Sequence, residues 1–381
     1  MIYLDNAATT GVRRTVLEAM WPYLTEEFGN PSSQHELGQR AASALANARE
    51  RVSAVLGCRA AEVTFTSGGT ESDNLAVKGV ALAAPRGRHL VASAIEHEAV
   101  LESCAHLRRE HGFAVDLAPV TSDALVRAAD VAGLLRPDTT LVSVMYANNE
   151  VGTVQQVALI AEEAHRVGAV MHTDAVQAAG WLSLDVGALG VDALSVSGHK
   201  LGAPKGIGAL YLRRGTRVEP VLHGGGQERG RRSGTENVAG AVGLAVALGL
   251  AEAARADRAA ASTLLRDGFI ARVLARVPGA RLTGHPLDRL PGNASFCFPG
   301  LSGEAVLLEL ERRGVVCSSG SACAAGRDEP SHVLLALGLD GPTAQTAVRF
   351  TLSTETTGVE LEAAADALSE SVASLGALST G

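Results

Sequence analysis

Cys323 lies in the run CSSGSACAAG, residues 317–326, whose side chains are nearly all tiny. Such a run buries little apolar surface and gains little from being ordered, so the sequence predicts a mobile segment at about 317–330. A thiolate is a nucleophile, and one on a mobile segment can react in one place and deliver in another. Cys317 ends the strand-like GVVC and reads as buried instead. Lysine is the second reactive type, and it is scarce: of 33 basic residues only Lys78, Lys200 and Lys205 are lysine. Arginine stays protonated in a protein, whereas a desolvated lysine can act as an amine nucleophile. Lys200 follows an apolar strand-like run and is the better candidate for a bond to a carbonyl. Lys205 sits in a Pro-Lys-Gly turn and Lys78 on a helix.

Three further stretches carry chemistry. In TFTSGGTESDN a strand ends at Thr66 and a helix opens near Glu71, with Gly69 and Thr70 in the turn between. Glycines there let backbone N–H groups approach a phosphate, and the helix N-terminus adds partial positive charge. The stretch is neither a Walker loop nor a G-x-G-x-x-G fingerprint, and an ordinary strand–helix turn reads the same way. In VMHTDAVQAAG, Asp174 ends an apolar strand, either as a site carboxylate or as a helix N-cap. LSVSGHK then places Ser197, His199 and Lys200 at the end of a neighbouring strand. A phosphate cradle, a carboxylate and a lysine on one rim match pyridoxal 5′-phosphate, which needs a partner for its phosphate, its ring nitrogen and its aldehyde.

These residues need a scaffold that brings strand ends together. Between residues 60 and 215, EVTFTS, HLVAS, LVSVMY, AVMHTD, DALSVS and GALYLR read as strands, separated by helical stretches such as ESDNLAVKGVALAA and EAVLESCAHLRREHG. This alternation predicts an α/β protein with a mostly parallel sheet flanked by helices, and ligands beyond the carboxyl ends of its strands. A long helix follows from about Thr235 to Ala275, with a bend expected near ARADRAA. The remainder mixes strand-like NASFCF and TAVRFTLS with helical GEAVLLELERRG and a last helix from about Thr357. We expect residues 12–255 to form a large cofactor-binding domain, and 1–11 with 256–381 a smaller α+β domain.

The opening motifs YLDNAATT and GNPSSQHELG resemble those of the cysteine desulfurases, within the class V aminotransferase group of fold-type I pyridoxal-phosphate enzymes. EHEAV, NNEVGTVQ, HTDAVQ, SGHKLGAPKGIGALY, HGGGQERGRRSGTEN and SSGSAC continue the likeness in order along nearly the whole chain. SSGSAC and its spacer to EPSHVLLALG resemble the long-loop branch that serves iron–sulfur and thiolation pathways. Ala203 stands where the family has a glycine, and Thr173 where it has an apolar residue; neither is a reacting group. The resemblance implies conversion of L-cysteine to L-alanine, with the sulfur kept on Cys323 as a persulfide. It implies that Lys200 holds the cofactor and shuttles protons, that Asp174 keeps the ring nitrogen protonated, and that His97 stacks on the ring. Asn149 and Gln177 would bond near the phenolic oxygen, and Asn149 would also border the substrate. Gly69, Thr70, Ser197 and His199 would bind the phosphate, and Arg349 the substrate carboxylate. Thr235 would reach the phosphate of a second subunit, making the enzyme a homodimer.

Composition sets the outer bounds. The chain has 381 residues, 46% of them apolar, and a net charge of −8, with no basic block that would suit direct nucleic-acid binding. Five cysteines without a Cys-x-x-Cys pair, and no leader-like start, favour a cytoplasmic protein over a disulfide scaffold, and no metal ligands are assigned. The longest run of apolar residues and glycine, Val238 to Ala251, is too short to span a membrane. The expected partners are L-cysteine, a second copy of the chain and a sulfur-acceptor protein, either an iron–sulfur scaffold or a thiolation protein, the latter including tRNA or DNA modification. Rival readings are a selenocysteine lyase or an aminotransferase on the same fold, a non-catalytic sulfur-transfer scaffold, and a nucleotide-binding module. An aminotransferase has no use for a thiol on a mobile segment.

Overall fold

Strands covered on both faces are rich in apolar residues, and six of the seven strands of the main sheet are buried along nearly their whole length. The computed structural model describes residues 1–83, 86–319 and 329–379. The strands are β1 (Val63–Thr66), β2 (His89–Ser93), β3 (Ala114–Ala118), β4 (Thr139–Ser143), β5 (Val170–Asp174), β6 (Ala193–Ser197) and β7 (Gly208–Leu212). Their order across the sheet is β1-β7-β6-β5-β4-β2-β3. Only β7 runs against its neighbours β1 and β6, so the carboxyl ends of all the others share one edge. The edge strand β3, AVDLA, is half exposed and was not expected.

Helices α1 (Arg14–Thr25) and α2 (Glu36–Leu56) pack against α3 (Val238–Ala253). The expected long helix is broken: α3 stops before Ala254, and α4 (Arg255–Arg276) leaves at 67° to it. Buried Arg49 of α2 grips Glu228 with two bonds of 2.6 and 2.7 Å, and the Phe65 N–H donates to the same carboxylate at 3.0 Å. Glu228 and Arg229 are held there at φ of 48° and 60°, left-handed conformations that cost non-glycine residues energy. This clasp fixes the chain that leads on to Thr235.

A second sheet, antiparallel, is built from β8 (Arg281–Leu282), β9 (Asn293–Cys297) and β10 (Val348–Thr351), with β9 central. Its core is separate from that of the main sheet and centres on Phe269, Phe296 and Phe350, whose rings meet edge-on at 5.2 to 6.2 Å. The N-terminus joins this unit. Ile2–Tyr3 pairs in parallel with Val315–Val316, and the Thr351 N–H donates to the Leu4 carbonyl at 2.6 Å. The chain from Asp5 to Thr10 is thereby laid across the carboxyl edge of the main sheet. Among the described residues, no single helix is long and apolar enough to cross a membrane, and no cluster of three or more His, Cys, Asp or Glu is placed to hold a metal ion.

Candidate active site

Most strand ends on that edge contribute a residue. After β1, Ser67 to Thr70 turn into a helical run, and the Ser67 N–H donates to Glu71 Oε2 at 2.8 Å. Glu71 is in turn held by Arg232 at 2.8 Å. Packing around the turn is close: a Cβ at Gly69 would come within 2.7 Å of Val176 Cγ2, and one at Gly208 within 2.7 Å of the Gly68 backbone. Ser197 ends β6 beside this turn, its Oγ 3.8 Å from where a Gly68 Cβ would stand. His199 Nδ1 lies 3.1 Å from Thr9 Oγ1, and the His199 carbonyl accepts from the Thr10 hydroxyl at 2.8 Å. Burial, then the charges of Lys200 and Lys205, push the His199 pKa down to about 4, so its imidazole is neutral at neutral pH.

At the end of β5, Asp174 is buried, and its Oδ1 accepts from the Val176 N–H at 2.8 Å. One oxygen caps the turn that follows, which is not the helix expected in the N-cap reading, and the carboxylate stands on the ligand edge. Burial raises its pKa, opposed by His97, the Val176 bond and Lys200. His97, following β2, also caps the helix it precedes, since its Nδ1 accepts from the Ala99 N–H at 3.0 Å. Lys200 closes a single turn after β6. Its Nζ donates to the carbonyls of Ala7 and Ala8, the latter at 2.7 Å, and Gln177 Nε2 donates to Ala7 at 3.0 Å.

Arg349 of β10 is 2% exposed, so it is no surface strand charge. One arm donates to Asp5 Oδ1 at 2.8 Å and the other to the Asn149 carbonyl at 3.0 Å, while Nε has no partner among the described residues. Both flanks of the predicted mobile segment end here. Ser318 exchanges backbone bonds of 2.7 and 3.2 Å with Arg349. On the other flank, Ser331 Oγ donates to buried Glu150 at 2.5 Å, and His332 Nε2 lies 3.0 Å from the Glu96 carbonyl. Cys323 itself lies outside the described residues. Cys317 is half-buried just past its short strand, and burial pushes its thiol pKa well up.

Gly69, Thr70, His97, Asn149, Asp174, Gln177, Ser197, His199, Lys200 and Arg349 thus gather on one edge. Thr235 does not join them; it is exposed, in the segment after the Arg49–Glu228 clasp. Sequence reasoning missed Asp5 and the carbonyls of Ala7 and Ala8, whose only signal was the polar-and-small run YLDNAATT. It also missed a buried polar layer behind Asp174. Asp73 Oδ1 is 3.6 Å from His172 Nε2, and burial, followed by the nearby charge of Asp174, holds its carboxyl well above the ordinary range.

These groups fit pyridoxal 5′-phosphate. A glycine turn with no room for a Cβ at Gly69, and with hydroxyls beside it, suits a phosphate; a buried carboxylate and a strand-end lysine suit the ring nitrogen and the aldehyde. The sequence matches the aminotransferase class-V family over residues 2–363. It is 47% identical over 379 residues to a cysteine desulfurase of Cereibacter sphaeroides, covering 99% of this chain and 97% of that one. A solved NifS-like protein superposes with a TM-score of 0.92 at 37% identity, over 98% of this chain and 100% of the other. The structure described as SspA in complex with cysteine superposes with a TM-score of 0.81 at 35% identity, over 94% and 100% of the two chains.

Proposed function

The chain belongs to the class-V aminotransferase family and is a cysteine desulfurase dependent on pyridoxal 5′-phosphate, and we propose that Lys200, Asp174, His97, Arg349 and Cys323 carry the reaction. The observation that supports this most is the convergence on one sheet edge of a strand-end lysine, a buried carboxylate and a buried arginine. Overall, L-cysteine and the Cys323 thiol become L-alanine and a Cys323 persulfide, which balances without any oxidant.

When bound, the cofactor supplies an aldehyde for amines and a ring that accepts electron density from the substrate. Lys200 would hold the aldehyde and, once displaced by the substrate amine, move protons at the substrate carbons. Asp174 would keep the ring nitrogen protonated; its burial leaves it a strong local partner for that proton. His97 would cover the ring face, and Asn149 and Gln177 its phenolic oxygen. Gly69, Thr70, Ser197 and His199 would bind the phosphate. Arg349 would turn its fork from Asp5 to the substrate carboxylate, a planar match that lysine could not make. Cys323 is five positions beyond anchored Ser318, and such a tether reaches roughly 17 Å at full extension.

The test is direct. The purified protein should absorb in the visible and should form one alanine per sulfur delivered to a thiol acceptor. An Asp174→Asn variant should keep its cofactor yet turn over about 10²- to 10³-fold more slowly. Alanine formation at the normal rate, with full cofactor content, would remove Asp174 from this role.

We further propose a cytoplasmic homodimer in which Thr235 of each subunit reaches the other's phosphate site, and a sulfur-acceptor protein as downstream partner. The division into residues 12–255 and the two flanking stretches is supported by the two separate cores. Sedimentation should show a dimer at micromolar concentration, and a Thr235→Glu variant should lose cofactor. Mixing that variant with Lys200→Ala should restore activity, since each mixed dimer regains one intact site. A fully active monomer would refute the arrangement.

A further inference from the structure

A cleft of about 450 Å³ opens beside Lys200, and part of its wall has no use in the sulfur chemistry. Its lining takes in Val176, Gln177 and Lys200 but not His97, Thr70, Asp174 or Ser197. Two other lining residues, Arg258 and Arg13, have unmet bonding capacity. Asn293, the first residue of β9, also borders the cleft, but its Oδ1 and Nδ2, unpaired among the described residues, are packed toward Gly152 and closed off from the cleft. Arg258 places its Cζ over the Trp181 ring, 3.8 Å from the centroid. Its Nε is buried without a partner, and neither it nor Arg13 is ion-paired among the described residues.

Charge in the cleft favours an anion. Burial, and then the charge of Arg13, lower the Arg258 pKa to about 10, which still leaves it cationic at neutral pH. Of the two acids in the lining, Glu360 is engaged by the Thr357 N–H and hydroxyl at 2.8 and 2.9 Å, and Glu355 is exposed at the rim. Stacking on an indole fixes the plane of a guanidinium and leaves its edge free for a carboxylate. The volume is in the range of clefts that hold small organic ligands.

We propose that this cleft is a binding site for a small organic acid, with Arg258 and Arg13 taking its carboxylate. The site is independent of the desulfurase reading, since neither arginine is placed in the reaction.

Calorimetric titration of the holoprotein with succinate, and separately with inorganic phosphate, tests it. Succinate should bind at submillimolar to millimolar concentration and phosphate more weakly. Arg258→Leu should weaken succinate binding about tenfold or more, while visible absorbance shows the cofactor retained. If Arg258→Leu does not fold, Arg258→Lys decides, because it keeps the charge but loses the fork and should weaken binding severalfold. No succinate heat up to about 10 mM, equal affinity in the variant that folds, or binding of phosphate alone would each overturn the proposal.

Discussion

Lys200→Ala abolishes turnover and leaves the cofactor bound only by non-covalent contacts, lost on dialysis. No nearby group can substitute. Of the two other lysines, Lys205 is exposed in the turn after the site, and Lys78 lies in the helical run beyond the glycine turn. Lys200 alone follows β6 on the ligand edge, with its amine brought to the carbonyls of Ala7 and Ala8. Losing the group that both holds the cofactor and carries protons should cost at least about 10⁴-fold in alanine formation. Borohydride reduction followed by peptide mass mapping should find the cofactor on Lys200 in the parent and on no lysine in the variant. A reducible bond to Lys205 in an active Lys200→Ala protein would refute the assignment.

Cys323→Ser gives the second large effect and separates cofactor chemistry from sulfur transfer. The variant should bind cofactor and L-cysteine, as a change in the visible spectrum on mixing would report, yet release no alanine and carry no persulfide. A hydroxyl is too weak a nucleophile to take the sulfur. Cys317→Ser should lose little activity. Burial raises the Cys317 pKa, so it is a poor thiolate source, and it stands beside the strand that pairs with the N-terminus. Mass spectrometry after one turnover decides: 32 mass units on the Cys317 peptide, about the mass of one sulfur, or normal alanine release by Cys323→Ser, would end the proposal.

How much of this was legible in the sequence depended on how local each signal is. Strands β2, β4, β5 and β6 are short runs rich in apolar and β-branched residues and bounded by turn residues, the composition buried parallel strands favour. Strand β3 escaped notice because Asp116 interrupts it; that carboxylate is held by Arg136 and by His89, contacts no local pattern encodes. Helices α1 and α2 precede the stretch from which the alternation was read. Lys200 and Asp174 could be placed because each ends a strand, and strand ends can be counted. Arg349 could not be placed that way. Its burial and its bond to Asp5 join residues 344 positions apart, and from the residues alone it read equally well as an exposed charge. Its expected role, like that of His97, came from resemblance. The orphaned Asn293 gave no signal at all, since only packing reveals which amides go unpaired.

The clasp between Arg49 and Glu228 bears on how two subunits would meet. Surface loops usually lose conformational freedom when they dock, and that loss subtracts from affinity. Here the strained turn at Glu228 and Arg229 is set from inside its own protomer, by a bidentate ion pair and a backbone amide of the main sheet. The approach to Thr235 is therefore shaped before any encounter. Association of such a subunit should be governed by collision and orientation rather than by loop rearrangement.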